Sequence, residues 1–226
     1  MNILGLKTTK QHKDYWTNRK INWNDHYTCT YDHTHRALII DKLKQWRWVS
    51  ILEVGCASGP NLINIFRHFA HADVAGIDIN NDAIVTARKQ FEGLTYDWNK
   101  QYGNVRMRLL PWFKVNSGDN IMISDDATDV IMSDRTLIYV GRKDIKRYLS
   151  EMKRVTRNRI MLVEFHHKSW WKRLVCKLKT GYNVYNYKQL LEDVGFYDVK
   201  VEKLPTGLWG EHDRHEAFNY IITARK

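Results

Sequence analysis

The sequence predicts an α/β domain: a mostly parallel sheet with helices on both faces. Three observations lead there. Strand-like runs rich in β-branched and apolar residues alternate along the chain with segments whose apolar residues recur at helical spacing, and such alternation builds a parallel sheet wrapped by helices. The strand-like runs are apolar throughout, as strands buried on both faces are. The first two end in acidic or small residues, and open α/β sheets bind ligands outside the carboxyl ends of their strands. A chain of 226 residues is long enough for one sizeable domain and its core. It has three Pro, no Ser/Gly-rich linker, no internal repeat and no low-complexity segment.

Residues 1–48 precede the first strand. Lys13, Asp14, Tyr15 and Trp16 lead into a polar, aromatic stretch that reaches Tyr31. A helix then begins near Asp32 or Thr34, with Ala37, Leu38, Ile40, Leu43 and Trp46 on its apolar side. Residues 49–54 form the first strand. Gly55, Ala57 and Gly59 then remove side-chain bulk where the chain turns sharply, so that a ligand can approach the backbone. Pro60 suits a first helical position, where its missing N–H has no intrahelical partner to lose. Leu62, Ile63, Ile65, Phe66 and Phe69 give the following helix its apolar stripe. Residues 74–79 form the second strand, ending at Asp78, whose carboxylate can accept hydrogen bonds from both hydroxyls of a ribose. Residues 93–111 read as an elaborated connection to the third strand.

The loop at 53–59 discriminates among nucleotide ligands. A dinucleotide fingerprint G-x-G-x-x-G read from Gly55 would need glycine at Ala57 and Pro60. A phosphate-binding loop would need Lys-Ser or Lys-Thr to follow, and neither does. Glu53 at the strand end repels a pyrophosphate and attracts a cation. The spacing E-x-G-x-A-x-G resembles the [DE]-x-G-x-G-x-G motif of class I S-adenosylmethionine-dependent methyltransferases, with Ala57 in place of the middle glycine.

The resemblance extends along the chain. Residues 115–120 are similar to the segment after that family's third strand, whose acid, here Asp119, faces the adenine amino group. Residues 126–133 resemble the fourth strand, with 137–140 as its apolar continuation, and 159–164 resemble the fifth. Residues 187–196 resemble the last helix, and 217–226 the final strand. The resemblance implies a Rossmann-like sheet of seven strands, mostly parallel, with an antiparallel C-terminal strand. It implies S-adenosyl-L-methionine as cofactor, held by Glu53, Gly55, Cys56, Ala57, Gly59 and Asn61 of the first loop. Asp78 and Ile79 would follow from the second strand, Gly118, Asp119 and Asn120 from the third, and Ser133 from the fourth. Residues 49–226 form the cofactor-binding domain in this reading. Residues 1–48 form a helical lid in which Tyr15, Trp16, Tyr31 and His35 are candidates to wall the site.

Methyl transfer from a sulfonium needs alignment of nucleophile and methyl carbon, and a weakly acidic nucleophile also needs a base. Asp134, Glu164, His166 and His167 stand at the ends of the fourth and fifth strands. The histidines are preferred as catalytic base because they titrate near neutral pH. No acid or cysteine cluster beside the His pair completes a metal site. Residues 133–136 read Ser-Asp-Arg-Thr, which differs from the N-P-P-[YF] signature of methyltransferases acting on base or glutamine amino groups.

The net charge is +11, from 36 Lys+Arg against 25 Asp+Glu. Residues 142–159 hold eight of these cations against Asp144 and Glu151 and read as a solvated helix face. Residues 166–188 form a substrate-side insert that mixes Lys168, Lys172, Arg173, Lys177 and Lys179 with Trp170, Trp171, Tyr182, Tyr185 and Tyr187. Such a mixture suits single-stranded RNA, and equally a phosphorylated small molecule, a sugar nucleotide or an anionic membrane surface. With Leu174, Val175 and Leu178 the two tryptophans can build a short amphipathic helix. The tail resembles those of small-molecule methyltransferases, so a small or sugar-like acceptor is preferred to RNA or another polyanion, and a non-catalytic scaffold is the third reading. Cys29, Cys56 and Cys176 are an odd number at wide spacing and suggest neither a zinc site nor a disulfide framework. No signal peptide and no membrane-spanning run is legible, so a reducing, cytoplasmic setting is expected.

Overall fold

A computed structural model describes residues 7–69, 72–102, 112–208 and 216–226, with only the backbone of 95–102. Three helices come first: α1 (Thr9–Thr17), α2 (Trp23–Thr30) and α3 (His35–Lys44). Then follow β1 (Ser50–Val54), α4 (Pro60–His68), β2 (Asp73–Asp78), α5 (Asn81–Tyr102), β3 (Trp112–Val115) and β4 (Thr128–Asp134). The chain closes with α6 (Ile145–Val155), β5 (Thr156–Phe165), α7 (Trp170–Thr180), α8 (Tyr187–Asp193), β6 (Tyr197–Lys203) and β7 (Asn219–Arg225).

The seven strands lie in the order β3-β2-β1-β4-β5-β7-β6. β1 to β5 pair in parallel, and β7 runs antiparallel to both β5 and β6. The expected fold and its antiparallel C-terminal strand are therefore present. The chain builds outward from β1 on one side and from β4 on the other. The carboxyl ends of β1 and β4 thus flank the point where strand order reverses, the place where such sheets bind ligands.

The pleat sorts side chains between two cores. Ile51, Val130, Met132, Met161 and Val163 face the core covered by α3, α4 and α5. Leu52, Val54, Ile131, Ile160 and Leu162 face the core covered by α6 and α8. By the same alternation Glu53 and Asp134 point toward α3 and α4, whereas Ser133 and Glu164 point to the opposite face. The elaborated connection is partly a helical extension, since α5 continues to Tyr102; its residues 103–111, and Trp209 and Gly210 of the tail, lie outside the described residues.

α4 begins where expected, with Gly59 as N-cap at φ 84° and Pro60 in the first turn. α1 carries a reciprocal cap: Thr8 accepts from the Gln11 N–H while the Gln11 side chain accepts from the Thr8 N–H. Its first turn is tied to the domain through Thr9, whose hydroxyl accepts from the Gly141 N–H at 2.8 Å and donates to Asp144.

Candidate active site

The carboxyl ends of β1, β2 and β4 and the three N-terminal helices enclose a cavity of ≈ 370 Å³. Among the described residues, α1 to α3 and the turn before α3 supply ten of the lining residues, so the segment preceding the sheet is the larger part of its roof.

The floor is the loop after β1. Gly55 takes φ 77°, and a Cβ there would lie 2.1 Å from the Thr136 hydroxyl; only glycine fits this position. Ala57 takes φ 48°, the left-handed region that a glycine at the motif's middle position would enter without cost. Ala57 keeps the turn by hydrogen bonding: its N–H donates to the Asp78 carboxylate at 2.9 Å. The other Asp78 oxygen accepts from the Asn80 N–H at 2.8 Å. Burial pushes the Asp78 carboxyl up, against the pull of these backbone donors.

The wall beside β1 and β4 is a buried acid pair tied to the N-terminal helices. Asn61, on the first turn of α4, donates to Glu53 at 2.6 Å and to Asp134 at 3.0 Å. His35 Nε2 stands 2.9 Å from the same Asp134 oxygen, and an Arg36 guanidinium nitrogen is 3.7 Å from it. Burial works against the Asp134 charge, yet His35, Arg36 and Asn61 hold its carboxyl well below the ordinary range. For Glu53 burial prevails, reinforced by the neighbouring Asp134 and Asp78 charges, over the Asn61 hydrogen bond and the pull of Arg36, and pushes it up to about 8. The pair thus carries one firm negative charge and one that a cation can call out.

Six cavity-lining residues hold a buried polar atom with no hydrogen-bond partner among the described residues: His12 Nε2, Trp16 Nε1, Trp23 Nε1, Glu53 Oε2, Asn116 Oδ1 and Asp134 Oδ1. Buried polar groups are ordinarily satisfied, so this concentration marks a ligand site. Two carboxyl groups, one firmly charged, sit at one wall and indole donors at another. That donor set fits S-adenosylmethionine, which has a cationic sulfonium and ammonium, a carboxylate, a ribose diol and an adenine.

Of the residues expected to hold the cofactor, Glu53, Gly55, Cys56, Ala57, Asn61, Asp78, Ile79 and Gly118 line this cavity. Four do not. Gly59 lies beneath as the helix cap. Asp119 turns aside, its carboxylate paired with Lys13 at 2.7 Å and Arg147 at 2.6 Å, and Asn120 is exposed. Ser133 faces the far side of the sheet, where it donates to Glu164 at 2.9 Å.

Among the expected catalytic residues, Asp134 alone lines the cavity. Glu164 is on the other face by pleat alternation. One of its oxygens accepts from the Thr136 and Leu137 N–H groups, each at 2.9 Å, as well as from Ser133, so it pins the turn after β4. Burial pushes its carboxyl up to about 7. His166 shares that face: it packs on Tyr220, accepts from the Tyr187 N–H at 3.1 Å, and is pushed down to about 4 by burial. His166 and His167 line a separate depression with Lys188, Val199 and Val201. Of the lid candidates, Trp16 and His35 line the cavity, while Tyr15 is exposed and Tyr31 packs on Tyr27.

Several lining residues carried no motif: His12, Lys13, Trp23, His26, His33, Arg36 and Tyr139. One signal was present. Four of the ten histidines fall in the first 35 residues, and all four line the cavity. Among the described residues no group of His, Cys, Asp or Glu could hold a metal ion.

The strand order and the cleft at the β1–β4 switch point define the class: a Rossmann-like methyltransferase fold. A family model described as a methyltransferase domain matches residues 48–222. The chain belongs to that family; it is a class I S-adenosylmethionine-dependent methyltransferase. Magnesium protoporphyrin IX methyltransferase from Synechocystis PCC 6803, with bound S-adenosylmethionine, is similar at TM-score 0.62 and 16% identity, over 98% of each chain. Geranyl diphosphate C-methyltransferase from Streptomyces coelicolor A3(2) is similar at TM-score 0.61 and 15% identity, over 84% of this chain and 78% of the other. A methyltransferase from Methanosarcina mazei reaches 22% identity at TM-score 0.58, over 83% of this chain and 96% of the other. No functionally curated protein matches the sequence.

Proposed function

We propose that the chain transfers a methyl group to a small-molecule or sugar-like acceptor held under the N-terminal helices. The observation that carries this reading is the roof itself. α1 to α3 cover the cavity and are tied down at two points: His35 meets Asp134 at the end of β4, and Thr9 meets Gly141 in the connection between β4 and α6. A polymeric acceptor needs an open trough, whereas a small one fits a roofed chamber. Two of the similar structures are named for small acceptors, geranyl diphosphate and magnesium protoporphyrin IX, which supports the same choice.

In this reading Glu53 and Asp134 receive the cofactor's cationic methionine end, Asp78 the ribose hydroxyls, and the Gly118 backbone the adenine side. When bound, the cofactor supplies a methyl group already activated on a sulfonium. The protein's task is alignment and, for a weakly acidic acceptor, removal of one proton. His12 suits that proton transfer. Its Nε2 is buried and unpartnered among the described residues, and its ring packs 5.3 Å from Tyr139, just beyond β4. Burial, then Lys7 and Lys177, push its pKa below the ordinary histidine value, so at neutral pH it is an uncharged imidazole able to accept a proton. A reducing, cytoplasmic setting belongs to the same proposal.

The test supplies labelled S-adenosylmethionine and fractionated cell extract to the purified protein. Label entering the low-molecular-mass fraction is expected; label confined to RNA would overturn the acceptor class. With an acceptor in hand, His12→Gln should lower kcat by about 100-fold with little change in KM, within the range set by loss of a general base. An unchanged kcat would remove His12 from the proton path.

A further inference from the structure

α7 presents its apolar side to solvent. Trp170 is 64% exposed, Trp171 58% and Leu178 47%, while Cys176 is the buried residue of the helix. At about 100° per residue, Trp170, Leu174, Leu178, Trp171 and Val175 share one arc of about 140°, and Cys176 lies on the opposite side. Soluble helices turn the other way, with the apolar stripe inward. Lys177 borders the arc on one flank, Lys172 and Lys179 on the other. From 165 to 191 the chain carries six Lys or Arg and no Asp or Glu.

The helix is held firmly in this orientation. The Arg173 guanidinium donates to the His167 and Lys168 carbonyls at 3.0 and 2.6 Å. Cys176 packs into a small core with Ile138, Phe165 and Val184, and Lys177 donates to Asn183. Gly181, at φ 78°, closes the helix. The same small core touches Tyr139, which lines the cofactor cavity. The outward stripe is therefore fixed by packing on the helix's other face, against a small core that also touches a wall of the cavity.

We infer that α7 docks the protein on an anionic lipid bilayer, with Trp170, Trp171 and Leu178 entering the headgroup region and the exposed Lys172 and Lys179 meeting lipid phosphates. Charge complementarity selects this occupant. An apolar stripe flanked by lysines, with tryptophans at the interface, is the pattern of a helix lying in the membrane plane. A second copy of this chain would bring the same cations against them. Single-stranded RNA would stack on the tryptophans but would leave the exposed Leu178 between them without a partner. Among the described residues no helix is long and apolar enough to cross a membrane, so the contact is peripheral.

The test is sedimentation of the full chain with vesicles of phosphatidylcholine alone or mixed with phosphatidylglycerol. Binding to the mixed vesicles is expected, weak or absent on phosphatidylcholine alone, and falling as salt rises. The double variant Trp170→Ala/Trp171→Ala should lower partitioning by about tenfold or more, and Lys172→Glu/Lys179→Glu should do likewise. Both pairs are exposed, so an unchanged circular dichroism spectrum is expected. Quenching of wild-type tryptophan fluorescence by lipids brominated in their acyl chains gives a readout that needs no variant. Failure to bind either vesicle, equal binding to both, or binding that survives the tryptophan substitutions would overturn the inference. So would a lysate partner or RNA whose binding is lost in the double tryptophan variant while vesicles stay unbound.

Discussion

Replacing Glu53 with glutamine separates the cost of burying a carboxyl from its use in meeting a cation. Glu53 moves from 4.5 to about 8 on folding because burial opposes its charge. Between those values the folded protein keeps a proton that the unfolded chain has lost. Stability is therefore fully present below pH 4.5 and falls as pH rises through about 8. Each tenfold change in proton affinity is worth about 1.4 kcal/mol, so the whole window amounts to about 5 kcal/mol. Glutamine keeps an oxygen for the Asn61 amide, whose contact with Glu53 is 2.6 Å, and does not titrate. Urea melts at half-unit pH steps should give similar stability for wild type and variant at pH 4.5 and below, an advantage for the variant that grows from about pH 5 to about 8, and no further growth above that. Glu164, pushed up to about 7, loses stability in the same direction but is common to both proteins and cancels in the difference. The same variant should bind S-adenosylmethionine at least about tenfold more weakly, since an amide offers an ammonium no charge. Parallel stability profiles across the window would refute the reasoning.

Ala57→Gly should stabilise the protein by about 0.5–1 kcal/mol, because φ 48° is strained for alanine and open to glycine; thermal melting checks it, and a lower Tm would count against strain. Arg36→Met removes a buried cation from beside Asp134 and should cost about 3 kcal/mol in urea melts at pH 7. It should also raise the pH at which acid begins to unfold the protein: the depressed Asp134 carboxyl contributes stability above its ordinary range that is lost as pH falls.

The sheet was legible because its signals are local. Glycines and a proline at fixed offsets can only serve a sharp turn into a helix, and the apolar run before them has no polar face to expose. Glu53 and Asp78 followed from standing at strand ends. Separating Asp134 from Glu164 and Ser133 needed one further fact, which helices cover which face. Pleat alternation gives the parity of each residue, but only tertiary packing says which parity meets α3 and α4. The roof was read as helical, yet its inward residues were not legible, since His12, Trp23 and His26 sit on helices with polar residues all around and no clean stripe. Asp119 stood at the expected place, and its side chain was drawn to Lys13 and Arg147, long-range partners that spacing does not reveal. In α7 the amphipathic pattern was clear and its direction was not: periodicity defines an apolar face without saying whether protein or solvent lies against it.

The central claim is that the cavity at the ends of β1, β2 and β4 is where the cofactor binds. Calorimetric titration of wild type, Asp78→Asn and Gly55→Val with S-adenosylhomocysteine tests it most directly. One equivalent should bind wild type, with affinity reduced at least about tenfold by the loss of a charged acceptor in Asp78→Asn. Gly55→Val should abolish binding, because its side chain would collide with Thr136 in the loop that forms the floor. Undiminished binding in both variants would place the cofactor elsewhere.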